Sequence, residues 1–176
     1  MAGYQNFRTP LALYNALEER FGPFGLDPWA SDEWHLCLKY FTEQTDGFKS
    51  VWPIENVFGN PPFARSGEAV KCGYDHARRT DRTVCLLLQA GISTAWFHKY
   101  ALKGTVLIPD CRINYWLPEE EKARLVAEAI AAGKKPPTFA GFNRDSIIVL
   151  FGDGYWDGGI RDFKIRGELK GTKVAA

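Results

Sequence analysis

A sheet covered by helices on both faces, an α/β fold, is predicted by three features of this sequence. Two apolar runs, Val84-Cys85-Leu86-Leu87-Leu88 and Ile147 to Phe151, read as strands with neither face in water. Strand-like segments alternate with stretches of helical periodicity along the chain. No internal repeat and no linker divides the 176 residues, so they form one domain of ordinary size.

The elements follow in order. Residues 9–21 read as a helix, with Thr9 as N-cap and Pro10 in the first turn; Leu13, Leu17 and Phe21 share one face, with Tyr14 beside them. Gly22-Pro23 stops it. Phe24-Gly25-Leu26 is a short buried strand entering Asp27-Pro28, and Leu36 to Phe41 is a second strand. Residues 42–50 are polar and turn-rich. Val57-Phe58 is a third strand, and residues 66–79 are weakly helical. After the run at 84–88, Ser93 or Thr94 caps a helix reaching Leu102. Thr105–Ile108 and Ile113–Trp116 lie close enough to pair as an antiparallel excursion, with Pro109-Asp110 at the turn. Pro118 and three glutamates open an alanine-rich helix ending near Gly133, the acids suiting the positive end of its dipole. The division expected is a domain over 1–152 and a Gly-rich, partly basic tail over 153–176.

Composition excludes several classes. Hydrophobic residues make up 45% and aromatics 14%, enough for one core. The net charge of +1 gives no global field toward nucleic acid, so a basic footprint must be local. Arg65, Lys71, Arg78, Arg79 and Arg82 follow one another after residue 60 and offer one; Arg161, Lys164, Arg166, Lys170 and Lys173 offer another. Cys37, Cys72, Cys85 and Cys111 form no Cys-x-x-Cys pair, and His35, His76 and His98 complete no zinc spacing. Four free thiols and no metal are expected. The N-terminus lacks an apolar leader and no run approaches membrane length, which predicts a soluble chain that is not secreted.

One tetrapeptide carries chemistry. Asn60-Pro61-Pro62-Phe63 is a stiff elbow. Its prolines fix φ and supply no N–H, so it presents an amide oxygen, an unpaired carbonyl and a flat ring at one point. That set suits holding a planar base by its exocyclic amino group. In an open α/β sheet, ligands sit beyond the carboxyl ends of the strands. Two strands end in unusual chemistry there, Leu26-Asp27-Pro28 and Phe58-Gly59-Asn60. If they are neighbours, a carboxylate for an ammonium or ribose faces an amine-holding elbow. This arrangement suits methyl transfer from S-adenosylmethionine to an amino nitrogen.

The chain resembles the phage Dam-like family of DNA N-6-adenine methyltransferases. The resemblance rests on motifs in order: Thr9-Pro10-Leu11; Phe21-Gly22-Pro23-Phe24-x-Leu26-Asp27-Pro28-x-Ala30; Asp46-Gly47-Phe48 and Trp52; Asn60-Pro61-Pro62-Phe63; Leu87-Leu88-x-Ala90-x-x-Ser93-Thr94-x-Trp96-Phe97-His98; and Arg112-Ile113. It implies a Rossmann-like, S-adenosylmethionine-dependent methyltransferase sheet and S-adenosylhomocysteine as product. It implies catalytic roles for Asn60, Pro61, Pro62 and Phe63, with Asn60 and the Pro61 carbonyl accepting from the adenine amino group and Phe63 stacking on the extruded base. Thr9, Pro10, Leu26, Asp27, Pro28, Ala30 and Asp46 are implied as cofactor-binding. Phe63, Ser93, Thr94, His98 and Arg112 are implied as substrate-binding. DNA is the implied partner, the chain acting as monomer or homodimer in the cytoplasm of a bacterial host. Gln89 stands where a proline is common, Cys111 where a glycine is usual, and no glycine follows Asp27. The residues leave two alternatives: an amino-methyltransferase acting on RNA, a nucleotide or a protein amide, or a non-catalytic nucleic-acid-binding relative.

Overall fold

The computed structural model describes residues 7–137 and 143–169. In chain order its elements are α1 (Leu11–Phe21), β1 (Leu26–Asp27), β2 (Lys39–Tyr40), β3 (Val57–Gly59), α2 (Ser66–Thr80), β4 (Val84–Gln89), α3 (Ala95–Lys99), β5 (Thr105–Pro109), β6 (Ile113–Asn114), α4 (Glu119–Ala131), β7 (Asn143–Arg144), β8 (Ser146–Phe151), β9 (Ile160–Phe163) and α5 (Arg166–Leu169). Seven of the strands form one sheet in the order β2-β1-β3-β4-β8-β5-β9. All neighbours run parallel except β8, which is antiparallel to both β4 and β5. This is the Rossmann-like α/β sheet that the sequence predicts.

The apolar runs work as expected. Cys85 and Leu87 of β4 pack on one face with Leu13, Tyr14 and Leu17 of α1 and Leu125 of α4. Val84, Leu86 and Leu88 pack on the other with Val70 and Ala77 of α2 and Phe97 of α3. The period of two along a strand sends alternate side chains to opposite layers, so a strand between two helical layers must be apolar throughout. All of β8 is buried for the same reason.

Several local expectations are corrected. Thr9 does not cap α1: the N-cap position belongs to Pro10, without a side-chain cap hydrogen bond, and Thr9 is buried at 2% exposure. Only Lys39–Tyr40 of the 36–41 segment is strand, with Cys37 turned into the core and Leu38 97% exposed. The segments 105–108 and 113–116 do not pair. Both edges of β5 are taken, by β8 and β9, while β6 pairs with β7 in a separate two-stranded sheet. Asp110 makes no hairpin turn either. Its Oδ1 accepts the amides of Ile165 and Arg166, each at 2.9 Å, and so ties the chain after β9 to the end of β5. Residues 153–169, read from the sequence as tail, supply β9 to the main sheet and α5 against α1. Lys170 and Lys173 lie outside the described residues.

The sheet brings together what the site needs. β1 pairs directly with β3, Leu26 opposite Val57. Asp27 and the Asn60 elbow therefore leave adjacent parallel strands at the same, carboxyl, end.

Candidate active site

A cavity of about 530 Å³ opens at this end of the sheet; its wall includes Thr9, Asp27, Ala30 and Asn60. Phe7, Arg8, Trp29, Trp34, Asp32 and Glu33 also line it, with Glu43 and, from the start of α4, Glu120, Glu121 and Arg124. The wall is rich in carboxylates and indoles, a set that suits a cation carrying a flat ring system.

Asn60 is held in one orientation. Its Nδ2 donates to the carbonyl of Phe7 at 2.7 Å. A carbonyl only accepts, so the amide must turn its nitrogen there and its oxygen away. Oδ1 is left buried with no hydrogen-bond partner among the described residues. Such an atom costs about 1–3 kcal/mol unless a ligand supplies a donor. Among the described residues, no hydrogen bond reaches the Pro61 carbonyl. The next turn is closed by Arg65, whose amide donates to the Pro62 carbonyl at 2.8 Å. Phe63 stacks on Phe7 with centroids 5.7 Å apart, and meets Tyr115 edge-on at 5.4 Å.

Three buried side-chain polar atoms lack a partner among the described residues: Asn60 Oδ1, Trp29 Nε1 and Trp34 Nε1. All three residues line the one cavity. One acceptor and two donors are thus left unsatisfied around the same space, as expected where a polar ligand completes the structure.

Asp27 is 5% exposed. Burial pushes its carboxyl up to about 6; the amides of Trp29 and Leu36 and the charge of His35 pull the other way without cancelling it. Its Oδ1 accepts the Trp29 amide at 3.2 Å, which folds the chain after β1 into the cavity wall.

The Asp46-Gly47-Phe48 and Trp52 motif supports that wall. A Cβ at Gly47 would lie 1.9 Å from the Pro28 carbonyl oxygen, so only glycine lets this turn abut the chain leaving β1. Trp52 Nε1 donates to the Gly47 carbonyl at 2.7 Å and meets the Trp29 ring edge-on. Phe48 packs on the Trp29 ring at 5.0 Å. On the other side, a Cβ at Gly59 would come within 2.6 Å of the Trp29 ring. Trp29 is therefore wedged between the end of β3 and the 46–52 loop.

Other residues expected at the site stand elsewhere. Leu26 is core, and Pro10, Leu26 and Pro28 flank the lining residues without being among them. Asp46 accepts the Phe48 amide at 3.1 Å and pairs with Lys49 at 2.9 Å. The Thr94 hydroxyl donates to the Gly91 carbonyl at 2.5 Å; Ser93, Thr94 and His98 are exposed. Arg112 makes a surface ion pair with Asp145 at 3.1 Å. None of these lines the cavity. The arginines after the elbow do not gather at its mouth. Arg78 and Arg79 occupy the last turn of α2, about 18 Å along the helix axis from its start. Arg65 pairs with Glu68 at 2.7 Å and Lys71 with Asp75 at 2.6 Å. Arg79 donates to the Trp52 carbonyl at 3.1 Å.

Sequence reasoning missed Phe7, Arg8, Trp34 and the Glu120–Arg124 turn. Residues 7–9 are joined to the segment after β6 by two backbone hydrogen bonds between Arg8 and Trp116, at 2.8 and 3.1 Å. Only the clustering of aromatic and charged residues at 7–8 and 33–35 hinted at this.

The four cysteines are free. Burial raises the Cys37 thiol to about 12. Among the described residues, no group of three or more His, Cys, Asp or Glu is placed to hold a metal ion, and no helix is long and apolar enough to cross a membrane.

A family model described as DNA N-6-adenine-methyltransferase (Dam) matches residues 3–154. A DNA N-6-adenine-methyltransferase of Escherichia phage T1 is 28% identical over 144 residues, covering 81% of this chain. The chain spans about 60% of the length of that relative. No solved structure matches.

Proposed function

Since the chain belongs to the DNA N-6-adenine-methyltransferase (Dam) family, we propose that it methylates the exocyclic N6 amino group of adenine in DNA with S-adenosylmethionine as donor. The observation that carries this reading is the locked amide of Asn60, whose Oδ1 is buried and lacks a donor. An adenine amino group is the donor it fits. The second N6 hydrogen goes to the Pro61 carbonyl. Held by two acceptors, the nitrogen turns its lone pair out of the ring plane and becomes the nucleophile.

The residues fit the cofactor. The cavity is of ligand size, and its carboxylates suit a cation. Bound there, S-adenosylmethionine supplies an electrophilic methyl group for direct displacement. Asp27, with Thr9 and Ala30 beside it, holds the ribose hydroxyls or the ammonium. Trp29 and Trp34 offer indole N–H donors, and their rings keep water from the wall. Asn60 and Pro61 align the amino nitrogen, which is where the rate arises. Phe63, backed by Phe7, receives the base. Turning a nucleotide out of the duplex costs a few kcal/mol, and stacking on an aromatic returns about 1–3 kcal/mol. No thiol takes part.

The chain works in this reading as a monomer or homodimer in the host cytoplasm. Two measurements on one variant test it. Asn60→Ala should abolish methyl transfer to DNA while S-adenosylhomocysteine still binds in calorimetry. Turnover equal to that of the native chain would refute the role of Asn60.

A further inference from the structure

Arg8 is built into the cavity wall in an unusual way. Its guanidinium carbon lies 5.1 Å from the centroid of one Trp34 ring and 4.7 Å from that of Trp116. The two indoles stand 5.5 Å apart. Its backbone is fixed by the pair of hydrogen bonds to Trp116. Both Arg8 and Trp34 line the cavity. Among the described residues the guanidinium forms no hydrogen bond or ion pair. Glu33 and Glu120 act on it only through space, while burial works against its charge.

This arrangement fixes the Arg8 side chain but satisfies none of its donors. A guanidinium that rests against ring carbons rather than on carboxylates keeps its N–H fork unspent, and such a fork takes a planar oxyanion through two hydrogen bonds. Beside it, Trp34 Nε1 is a buried donor without a partner. A structural arginine would have spent its fork on Glu33 or Glu120, which are near enough to influence it. The carboxylates elsewhere on the wall suit the cationic part of a ligand; Arg8 and Trp34 suit its anionic part, whereas Arg124 on the same wall is paired with Glu121 and Glu128.

We propose that Arg8, resting against Trp34 and Trp116, is the oxyanion anchor of this cavity, with Trp34 Nε1 as an added donor. The inference rests on the methyltransferase reading above. Two sources carry the required chemistry: the α-carboxylate of the cofactor's amino-acid end, and a backbone phosphate of the target strand.

The test uses the full chain with Arg8→Met, Arg8→Lys and Trp34→Phe variants, each checked for native unfolding temperature without ligand. Three ligands are titrated: S-adenosylhomocysteine; 5′-methylthioadenosine, which lacks the amino-acid end; and a DNA duplex across a salt series. If the anchor takes the cofactor carboxylate, Arg8→Met weakens S-adenosylhomocysteine about tenfold or more. Binding of 5′-methylthioadenosine is then unchanged. Arg8→Lys, which keeps charge without the fork, falls between. If the anchor takes a phosphate, both adenosine ligands bind as before, while DNA binds more weakly with its salt slope reduced by about 0.9. Unchanged binding of all three ligands overturns the anchor, as does equal loss for both adenosine ligands, which would report a collapsed cavity. A native chain that binds none of them overturns the methyltransferase reading and the anchor with it. Native binding matched by the Arg8 variants overturns the anchor alone.

Discussion

Replacing Asp27 by asparagine should make the ligand-free protein more stable and the cofactor-binding protein worse. The carboxyl is buried and its folded-state pKa stands at about 6, against an ordinary 3.8. The folded chain therefore holds this proton more tightly than the unfolded chain. That contribution to stability is complete below pH 4 and is lost as pH rises through about 6. At about 1.4 kcal/mol per pH unit, the gap comes to roughly 3 kcal/mol by pH 7. Asparagine does not titrate and escapes this loss. It keeps one acceptor oxygen for the Trp29 and Leu36 amides instead of two, an offset of about 1 kcal/mol. The net gain expected at pH 7.5 is about 1–2 kcal/mol, or about 2–8 °C in unfolding temperature for a chain of this size. The assay is thermal unfolding of both proteins from pH 4 to pH 8, with and without S-adenosylhomocysteine. Without ligand, the advantage of Asp27→Asn should open between pH 4 and 6.5 and level off above 7. With ligand it should shrink or reverse, because the ionised carboxylate is what the ligand's donors need. Native affinity should accordingly rise with pH through about 6, while that of the variant stays flat. A difference between the two proteins that is independent of pH would refute the reasoning, because Asp27 would then not be ionising in a buried site.

The Asn60→Ala variant should show no measurable turnover, a loss of at least about 10³-fold, since it removes an acceptor aimed at the reacting nitrogen. Its affinity for S-adenosylhomocysteine should stay within about threefold of native. Gly59→Ala drives a methyl toward the Trp29 ring. It should cost about 1–3 kcal/mol of stability in denaturant melts and weaken cofactor binding as well, because the cavity wall moves. Leu87→Ala, at a position of β4 with no exposure on the face that packs with α1, should cost about 2–5 kcal/mol. Ligand affinity of the folded fraction should be unchanged, separating a core defect from a site defect.

The sheet was legible because its strands carry their own constraint. The runs at 84–88 and 147–151 are apolar on every residue, and only a doubly covered strand requires that. The elbow was legible because two prolines fix their own backbone, so its shape is local. Asp27 could be placed beside it once β1 and β3 were taken as neighbours, and they are. What was not legible depends on contacts distant in sequence. The bond that aims Asn60 comes from a carbonyl 53 residues away. The ring contacts of Arg8 join residues 8, 34 and 116. Proximity in sequence misled for 105–116: a hairpin fitted the spacing, but β8 competed for the β5 edge with a six-residue buried strand. Thr9 misled for a related reason. Its type suits a helix cap, yet its position next to the Arg8–Trp116 bridge buries it in the cavity wall. The basic residues after the elbow looked like one patch because the sequence does not display their partners: Arg65 and Lys71 pair with Glu68 and Asp75, and Arg79 turns to the Trp52 carbonyl.

The most direct measurement is to incubate the purified chain with duplex DNA and methyl-labelled S-adenosylmethionine, hydrolyse the DNA to nucleosides and identify the labelled product. The account predicts N6-methyl-2′-deoxyadenosine with the native chain and none with Asn60→Ala. Label on cytosine or on a ring nitrogen, or equal N6 methylation by the variant, would contradict it.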